Sequence, residues 1–433
     1  MSFISKLIAK IRQSAIAKDS SWAIIGSAIG KGASMLTGVI IARLLGAEIY
    51  GEYGMVKSTL AYVAVFSTFG LGYTTTKHIA QCRKNDFQQI RSIIRDSLTI
   101  TLITSGMMAV LLLLFAQYIT SEPHLVPTLR YTALIVIFNA INTTQLGLLS
   151  GFKDFRTIAI NNTVTGIATL LLGTSLTYYI GLDGAVMALF IATALQCLLN
   201  HIAVRGHAMR IKKLAETSEE KPQKTNSIRE LLRFSLPIAL QECVYASANW
   251  IKMLILIHLA GYDELGLYTA SNQWFVMILF IPGVLRNVIL SHLSSSIDDT
   301  AKHKNTFSTM LKINAIATLI PAIGIALLSP LIDLFYGDSF HGLVPVLLIM
   351  VVTSVFGCIA NIYTQEFISR GRTWTIFWGY VLREYGSLII VTPFIMQYGQ
   401  QFGAALMYSA VLIMHIVYCS VLHYKYNKEF KRV

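Results

Sequence analysis

Long apolar stretches, each close to the length of a membrane-spanning helix, follow one another along the whole chain of 433 residues. A helix needs about 20 mostly apolar residues to cross the hydrocarbon core of a bilayer. Residues 98–119 and 313–332 supply that length without a charged side chain. The pattern therefore predicts an all-α integral membrane protein.

About twelve such spans fall into two groups of six, separated by a polar, charge-rich segment that is predicted to be a cytoplasmic linker. The N-terminal segment alternates isoleucine and leucine with lysine and arginine, which is typical of an interfacial helix. The predicted organisation is an interfacial cytoplasmic segment at 1–20, a six-helix bundle at 21–204, the linker at 205–230, a second six-helix bundle at 231–422 and a basic cytoplasmic tail at 423–433. The predicted spans are 21–44, 51–74, 96–119, 127–150, 158–180, 184–204, 231–258, 265–287, 312–332, 343–368, 373–397 and 401–422.

Basic residues set the orientation of these spans. All but six of the 35 Lys and Arg residues lie in alternate connections, whereas the intervening connections carry acidic residues. Because basic connections stay on the cytoplasmic side, both termini are predicted to be cytoplasmic. A net charge of +13 would also suit a nucleic-acid-binding protein, but mean hydropathy is +0.59 and no soluble module is present to carry a basic patch. Nucleic acid is therefore excluded as a partner.

A short internal repeat supports the division into halves. Residues 44–53 align without gaps with residues 259–268, which lie 215 positions later, and share a leucine, two glycines, an acidic residue and a tyrosine. Both copies join the first two spans of a six-span group on the same predicted side of the membrane. Parallel repeats of this kind place a substrate site near the midplane at their interface.

Three of the six remaining basic residues, Lys31, Lys252 and Arg383, fall near the middle of predicted spans, and Lys57 lies one or two turns from the end of its span. A charge at the bilayer centre costs at least about 2.5–3.5 kcal/mol on insertion scales, so these side chains must face a partner or a wet cavity. They are the candidate functional residues of the chain.

On the seventh span, Gln241, Tyr245, Asn249 and Lys252 share one helix face, with Glu242 beside it. Such a stripe is predicted to line a cavity that binds an anionic headgroup through charge and hydrogen bonds. The alternative is a set of buried ion pairs, in which Glu242 serves as a coupling or pairing acid. The candidate pairs are Lys252 or Lys31 with Glu242, and Arg383 with Glu384 or Glu366.

Sequence motifs for catalysis are lacking. No metalloprotease helix, nucleophile elbow or phosphate loop is present, and the five cysteines have neither metal-ligand nor disulfide spacing. The sequence predicts a transporter without catalytic residues, metal or cofactor.

The segments IARLLG at 41–46 and YGEYG at 50–54, with the two groups of six spans, resemble the bacterial polysaccharide flippases of the multidrug/oligosaccharidyl-lipid/polysaccharide (MOP) superfamily. The resemblance implies a MATE-like fold whose first, second, seventh and eighth helices line a central cavity. It also implies transfer of an undecaprenyl-pyrophosphate-linked oligosaccharide from the cytoplasmic to the periplasmic leaflet of the bacterial inner membrane, for O-antigen, capsule or exopolysaccharide assembly. Implied partners are that lipid, the bilayer and other membrane proteins of polysaccharide assembly. Lys31, Lys57 and Lys252 lie on the implied cavity helices, whereas Arg383 lies on the eleventh.

Two other functions compete with this expectation. A cation-coupled exporter of small molecules would share the fold, but its cationic substrates would meet several basic residues and one well-placed acid, Glu242. A membrane glycosyltransferase or polymerase would need a catalytic loop outside the membrane, and the longest connection is the cytoplasmic linker.

Overall fold

The protein is represented by a computed structural model that describes residues 15–429 except 69, 83–86, 121, 218–226 and most of 284–298. Apart from short turns and one 3₁₀ turn at Asp338–Phe340, the described residues are α-helical. The helices are α1 (Ala15–Thr68), α2 (Leu71–Cys82), α3 (Phe87–Ile119), α4 (Leu125–Gly151), α5 (Phe155–Ile180), α6 (Leu182–Thr217), α7 (Ser227–Leu259), α8 (Tyr262–Ile278), α9 (Thr300–Tyr336), α10 (Leu343–Ser369) and α11 (Thr373–Glu429).

Helix lengths match the predicted spans. Eight helices of the described chain are long and apolar enough to cross a membrane. The longest helix, α11, holds two predicted spans, and α1 holds the first span and most of the second; non-helical backbone interrupts α1 at Gly46 and α11 at Phe402. Helices α7 and α8 cover the seventh span and most of the eighth. The prediction of an all-helical, multi-span membrane protein is confirmed.

Two helix ends differ from the predicted spans for local reasons. Gly70, with φ 69°, separates α1 from α2 inside the predicted span 51–74. Helix α8 ends at Ile278, four residues before Pro282. A proline ring clashes with the carbonyl four residues earlier, which favours a helix end at that position.

The chain divides into two compact units, and the division does not follow the predicted bundles residue by residue. One unit comprises Met1–Thr37 and Thr59–Cys243, and the other comprises Gly38–Ser58 and Val244–Val433. The predicted linker also differs from the structure, because α6 continues to Thr217 and α7 begins at Ser227. Its described parts are therefore helical, as expected for stretches rich in Arg, Lys, Ala and Leu.

In the first unit, buried amides hold neighbouring helices together. Asn161 on α5 donates to the side-chain oxygen of Asn200 on α6 at 2.8 Å, and Asn200 donates in turn to Asn142 on α4. At the end of this bundle, Asp154 caps α5 by accepting from the backbone N–H of Thr157. Such bonds replace the water that hydrocarbon does not supply.

In the second unit, the repeated glycines adopt the same backbone conformation. Gly46 has φ 78° and ψ 171°, and Gly261 has φ 99° and ψ 172°. Residues with a Cβ rarely adopt such positive φ values, so glycine is required at both turns. The sequence repeat is therefore also a structural repeat.

The second pair of repeated glycines makes a reciprocal contact. A Cβ on Gly51 would collide with the backbone carbonyl of Tyr262, and a Cβ on Gly266 would collide with that of Ala47. These two contacts exchange under the 215-residue offset of the repeat. The segment 38–58 thus packs backbone to backbone against α8, in the close approach that small residues allow between membrane helices.

We expect Gly51→Ala to destabilise the protein by about 1–3 kcal/mol, because a backbone carbonyl cannot move aside for the added methyl group. The matched control is Gly106→Ala on α3, where a Cβ would meet nothing within 4 Å. Thermal unfolding in detergent measures both variants. Equal midpoints for the two would show that the close contact at Gly51 is not needed.

Candidate functional site

A buried group of three charged side chains lies between α7 and the first half of α11. Glu384 accepts from the ammonium of Lys252 through Oε2 at 2.7 Å, and from two guanidinium nitrogens of Arg383 through Oε1 at 2.6 and 3.0 Å. The relative exposures of Lys252, Arg383 and Glu384 are 3%, 8% and 4%. We call these three residues the charge triad. It contains two cations and one carboxylate, and therefore keeps a net charge of +1.

Neighbouring aromatic and polar groups fix the triad in place. The Arg383 guanidinium lies 4.4 Å from the ring centroid of Tyr380 and 5.3 Å from that of Tyr418. Such stacking stabilises a desolvated guanidinium. A second polar link, between the hydroxyls of Ser247 and Tyr385 at 2.7 Å, also joins α7 to α11. The triad is thus a rigid feature of the second unit.

One predicted ion pair is present, and Lys252 has a partner other than the one proposed for it. Arg383 pairs with Glu384, as one alternative from the sequence proposed. The described partner of Lys252 is Glu384 instead of Glu242, because α11 brings its carboxylate into contact with α7. Glu366 does not reach Arg383. It binds His303 at 2.8 Å and Arg370 at 2.6 Å.

Within the second unit, the polar stripe of α7 continues from the triad through Asn249 to Tyr245, whereas Glu242 and Gln241 belong to the first unit. Asn249 is half-buried, with its side-chain oxygen 3.4 Å from the Lys252 ammonium. Tyr245, one turn further, is 52% exposed, and Glu242 is half-buried. The side chain of Gln241 lies outside the described residues. Tyr245 and Asn249 are thus placed to present hydrogen-bonding groups while Lys252 stays behind them.

The two lysines of α1 are exposed and lie in different units. Lys57, in the second unit, has its ammonium 5.3 Å from the ring centroid of Tyr53. Lys31, in the first unit, is also exposed. Their exposure contrasts with the burial of Lys252 and Arg383. Their role in binding stays a prediction.

Sequence reasoning missed one feature of the site, the sharing of a single carboxylate by two cations from different helices. Glu384 follows Arg383 directly in the sequence, and that adjacency indicated their pairing. Nothing in the local pattern connects residue 384 with residue 252, since 132 positions separate them. Among the described residues, no group of three His, Cys, Asp or Glu side chains is arranged to hold a metal ion.

The helical architecture and the charge buried inside it define the class, a multi-span integral membrane protein with charged groups buried among its helices. Solved structures support this fold. The chain superposes on the inward-facing form of a multidrug resistance MATE family transporter of the MOP superfamily with a TM-score of 0.74 and 14% identity, covering 95% of this chain and 98% of that one. A MOP superfamily transporter from Pyrococcus furiosus, described as having a binding pocket of reverse polarity, gives a TM-score of 0.69 and 16% identity over 96% and 95%.

Residues 16–291 match the family model described as polysaccharide biosynthesis protein, and the chain belongs to that family. It is 25% identical over 269 residues to the lipid III flippase of Escherichia coli, a match that spans 60% of this chain and 62% of that protein. It is 19% identical over 335 residues to a putative O-antigen transporter of Shigella flexneri, covering 75% and 78%. The chain thus matches about three fifths of the length of the first relative and more of the second.

We expect Glu384→Gln to lower stability by about 3–5 kcal/mol, because it leaves two cations buried beside a neutral amide. Glu429→Gln is the control, since that carboxylate is partly exposed and lies 4.0 Å from Arg372. A surface pair of this kind contributes about 1 kcal/mol or less. Thermal unfolding in detergent compares the two, and equal losses would contradict a structural role for the triad.

Proposed function

We propose that this protein is a flippase that moves an undecaprenyl-pyrophosphate-linked oligosaccharide from the cytoplasmic to the periplasmic leaflet by alternating access, for surface polysaccharide assembly. The proposal places the protein in the bacterial inner membrane with both termini cytoplasmic. Membership of the polysaccharide biosynthesis family and the similarity to a lipid III flippase and a putative O-antigen transporter support this class of cargo.

The sign of the charge is the observation that carries the choice of cargo. Lys31 and Lys57 are exposed on α1, and the charge triad adds one net positive charge behind the stripe of α7. Pyrophosphate carries negative charge and many acceptor oxygens, which ammonium and guanidinium groups bind well. A positive potential in a low-dielectric surround attracts such a headgroup and repels cations.

The candidate residues differ in exposure, and we assign them different roles on that basis. Within the second unit, we assign direct contact with the headgroup to Lys57, and hydrogen bonds to phosphate or sugar to Tyr245 and Asn249. Lys31 and Gln241 stay candidate binding residues from the sequence. Lys252 and Arg383 are not assigned a direct contact with the headgroup, because both are buried against Glu384. They hold α7 against α11 and contribute positive electrostatic potential. Glu242 remains a candidate for ion coupling or pairing.

The membrane potential favours the proposed direction of transport. Moving one elementary charge through 100 mV corresponds to about 2.3 kcal/mol. A headgroup carrying two negative charges therefore releases about 4–5 kcal/mol when it moves outward down an inside-negative potential of that size.

We expect Lys57→Ala to slow flipping at least about tenfold, since loss of one charge-assisted hydrogen bond costs about 1.5–3 kcal/mol. The assay follows a fluorescent undecaprenyl-pyrophosphate oligosaccharide in proteoliposomes through its accessibility to an external quencher. Lys57→Arg should retain most activity because it keeps the charge.

Arg130→Gln is the matched control, because Arg130 is an exposed basic residue of α4 that is not part of the proposed site. Wild-type rates for Lys57→Ala would overturn the assignment of Lys57. The competing function, cation-coupled export of small molecules, is tested separately. A clear rise in resistance to cationic dyes on overexpression would favour that exporter over the flippase.

A further inference from the structure

The two halves of α11 enclose a groove of about 400 Å³ at one end of the second unit. Trp374, Trp378 and Leu382 form its wall on the first half of the helix. Val417, Val421 and Lys425 form the wall on the second half. Residues spaced by four lie on one face of a helix, so the first wall is about 12 Å long.

Gly379 lines the groove between its two walls. A Cβ at position 379 would lie 2.6 Å from a ring carbon of Tyr418, so the two halves of α11 approach closely there. Arg383 closes the inner end, where its charge is already paired with Glu384. The space between the walls is therefore narrow and elongated.

The sides of the groove are exposed and apolar. Trp374, Trp378 and Leu382 have relative exposures of 69%, 64% and 60%, and Val421 is 42% exposed. All four lie on a helix long and apolar enough to cross a membrane. Exposed apolar side chains on such a helix are compatible with the hydrocarbon of the bilayer, which makes an acyl chain the natural occupant.

Charge selects the headgroup at the open end of the groove. Lys425 stands there, and Arg370, Arg372 and Lys428 lie at the same end of the helix pair, as the contact of Arg372 with Glu429 shows. Clusters of basic residues next to a membrane helix attract anionic lipids. Tryptophans such as Trp374 are typical of the membrane–water interface, which places this end at headgroup level.

We propose that the groove is a binding site for one anionic phospholipid of the surrounding bilayer. An acyl chain lies between the two walls, toward Arg383, and the phosphate contacts Lys425. The groove borders Arg383 of the charge triad but does not include the polar stripe of α7. The proposed lipid site does not depend on the proposed transport function.

The test is native mass spectrometry of the full-length protein with added phosphatidylglycerol or phosphatidylcholine. Wild type should retain phosphatidylglycerol in preference to phosphatidylcholine. Lys425→Gln should lower that preference about fivefold, the effect of one basic residue at a membrane surface. Lys304→Gln, at an exposed lysine of α9, should leave it unchanged.

Val421→Trp fills the groove and should release both lipids. Ile389→Trp is its control, since Ile389 is 75% exposed on the same helix and does not line the groove. Equal retention of the two lipids by wild type, or full retention by Val421→Trp, would overturn the site. Lys425→Gln removes only the charge of a partly exposed side chain, so it tests the site even if the tryptophan variant fails to fold.

Discussion

Hydrocarbon offers no hydrogen bonds, and this constraint shapes the arrangement of the buried amides and charges in the spans. Backbone groups are satisfied within helices, and buried amides such as Asn142, Asn161 and Asn200 bond to one another. Charges follow the same rule. Glu384 neutralises part of the charge of Lys252 and Arg383, which would otherwise be stranded at the junction of α7 and α11.

The charge triad links stability to the proposed transport chemistry. One carboxylate is enough to hold two cations at short distances, yet it leaves a net positive charge in the interior of the unit. A second acid would give a neutral cluster and weaken the attraction for a pyrophosphate. The proposed preference for an anionic cargo therefore depends on the ratio of cations to acids in the cluster more than on any single cation.

Small residues carry the second structural constraint, the close approach of helices. Gly46 and Gly261 make equivalent turns, and Gly51 and Gly266 then allow the two repeats to touch through their backbones. Because the contacts are reciprocal, a change in one repeat has an equivalent in the other. Exposed apolar residues elsewhere serve a different purpose, as at the groove of α11, where they face lipid and leave space for a chain.

The sequence by itself determined the class of structure, because hydrophobic length and the placement of basic residues are local properties that the bilayer enforces directly. It also revealed the repeat, through five matching positions 215 residues apart, and the structure then showed that both Gly46 and Gly261 adopt positive φ. It identified Lys252 and Arg383 as unusual, and adjacency indicated the pair of Arg383 with Glu384. Only the tertiary structure decided that Glu384 also holds Lys252, that Glu366 binds His303 instead, and that Lys57 stays exposed. Those outcomes depend on which helices meet across more than a hundred residues of sequence, and no local pattern of polar and apolar positions encodes that.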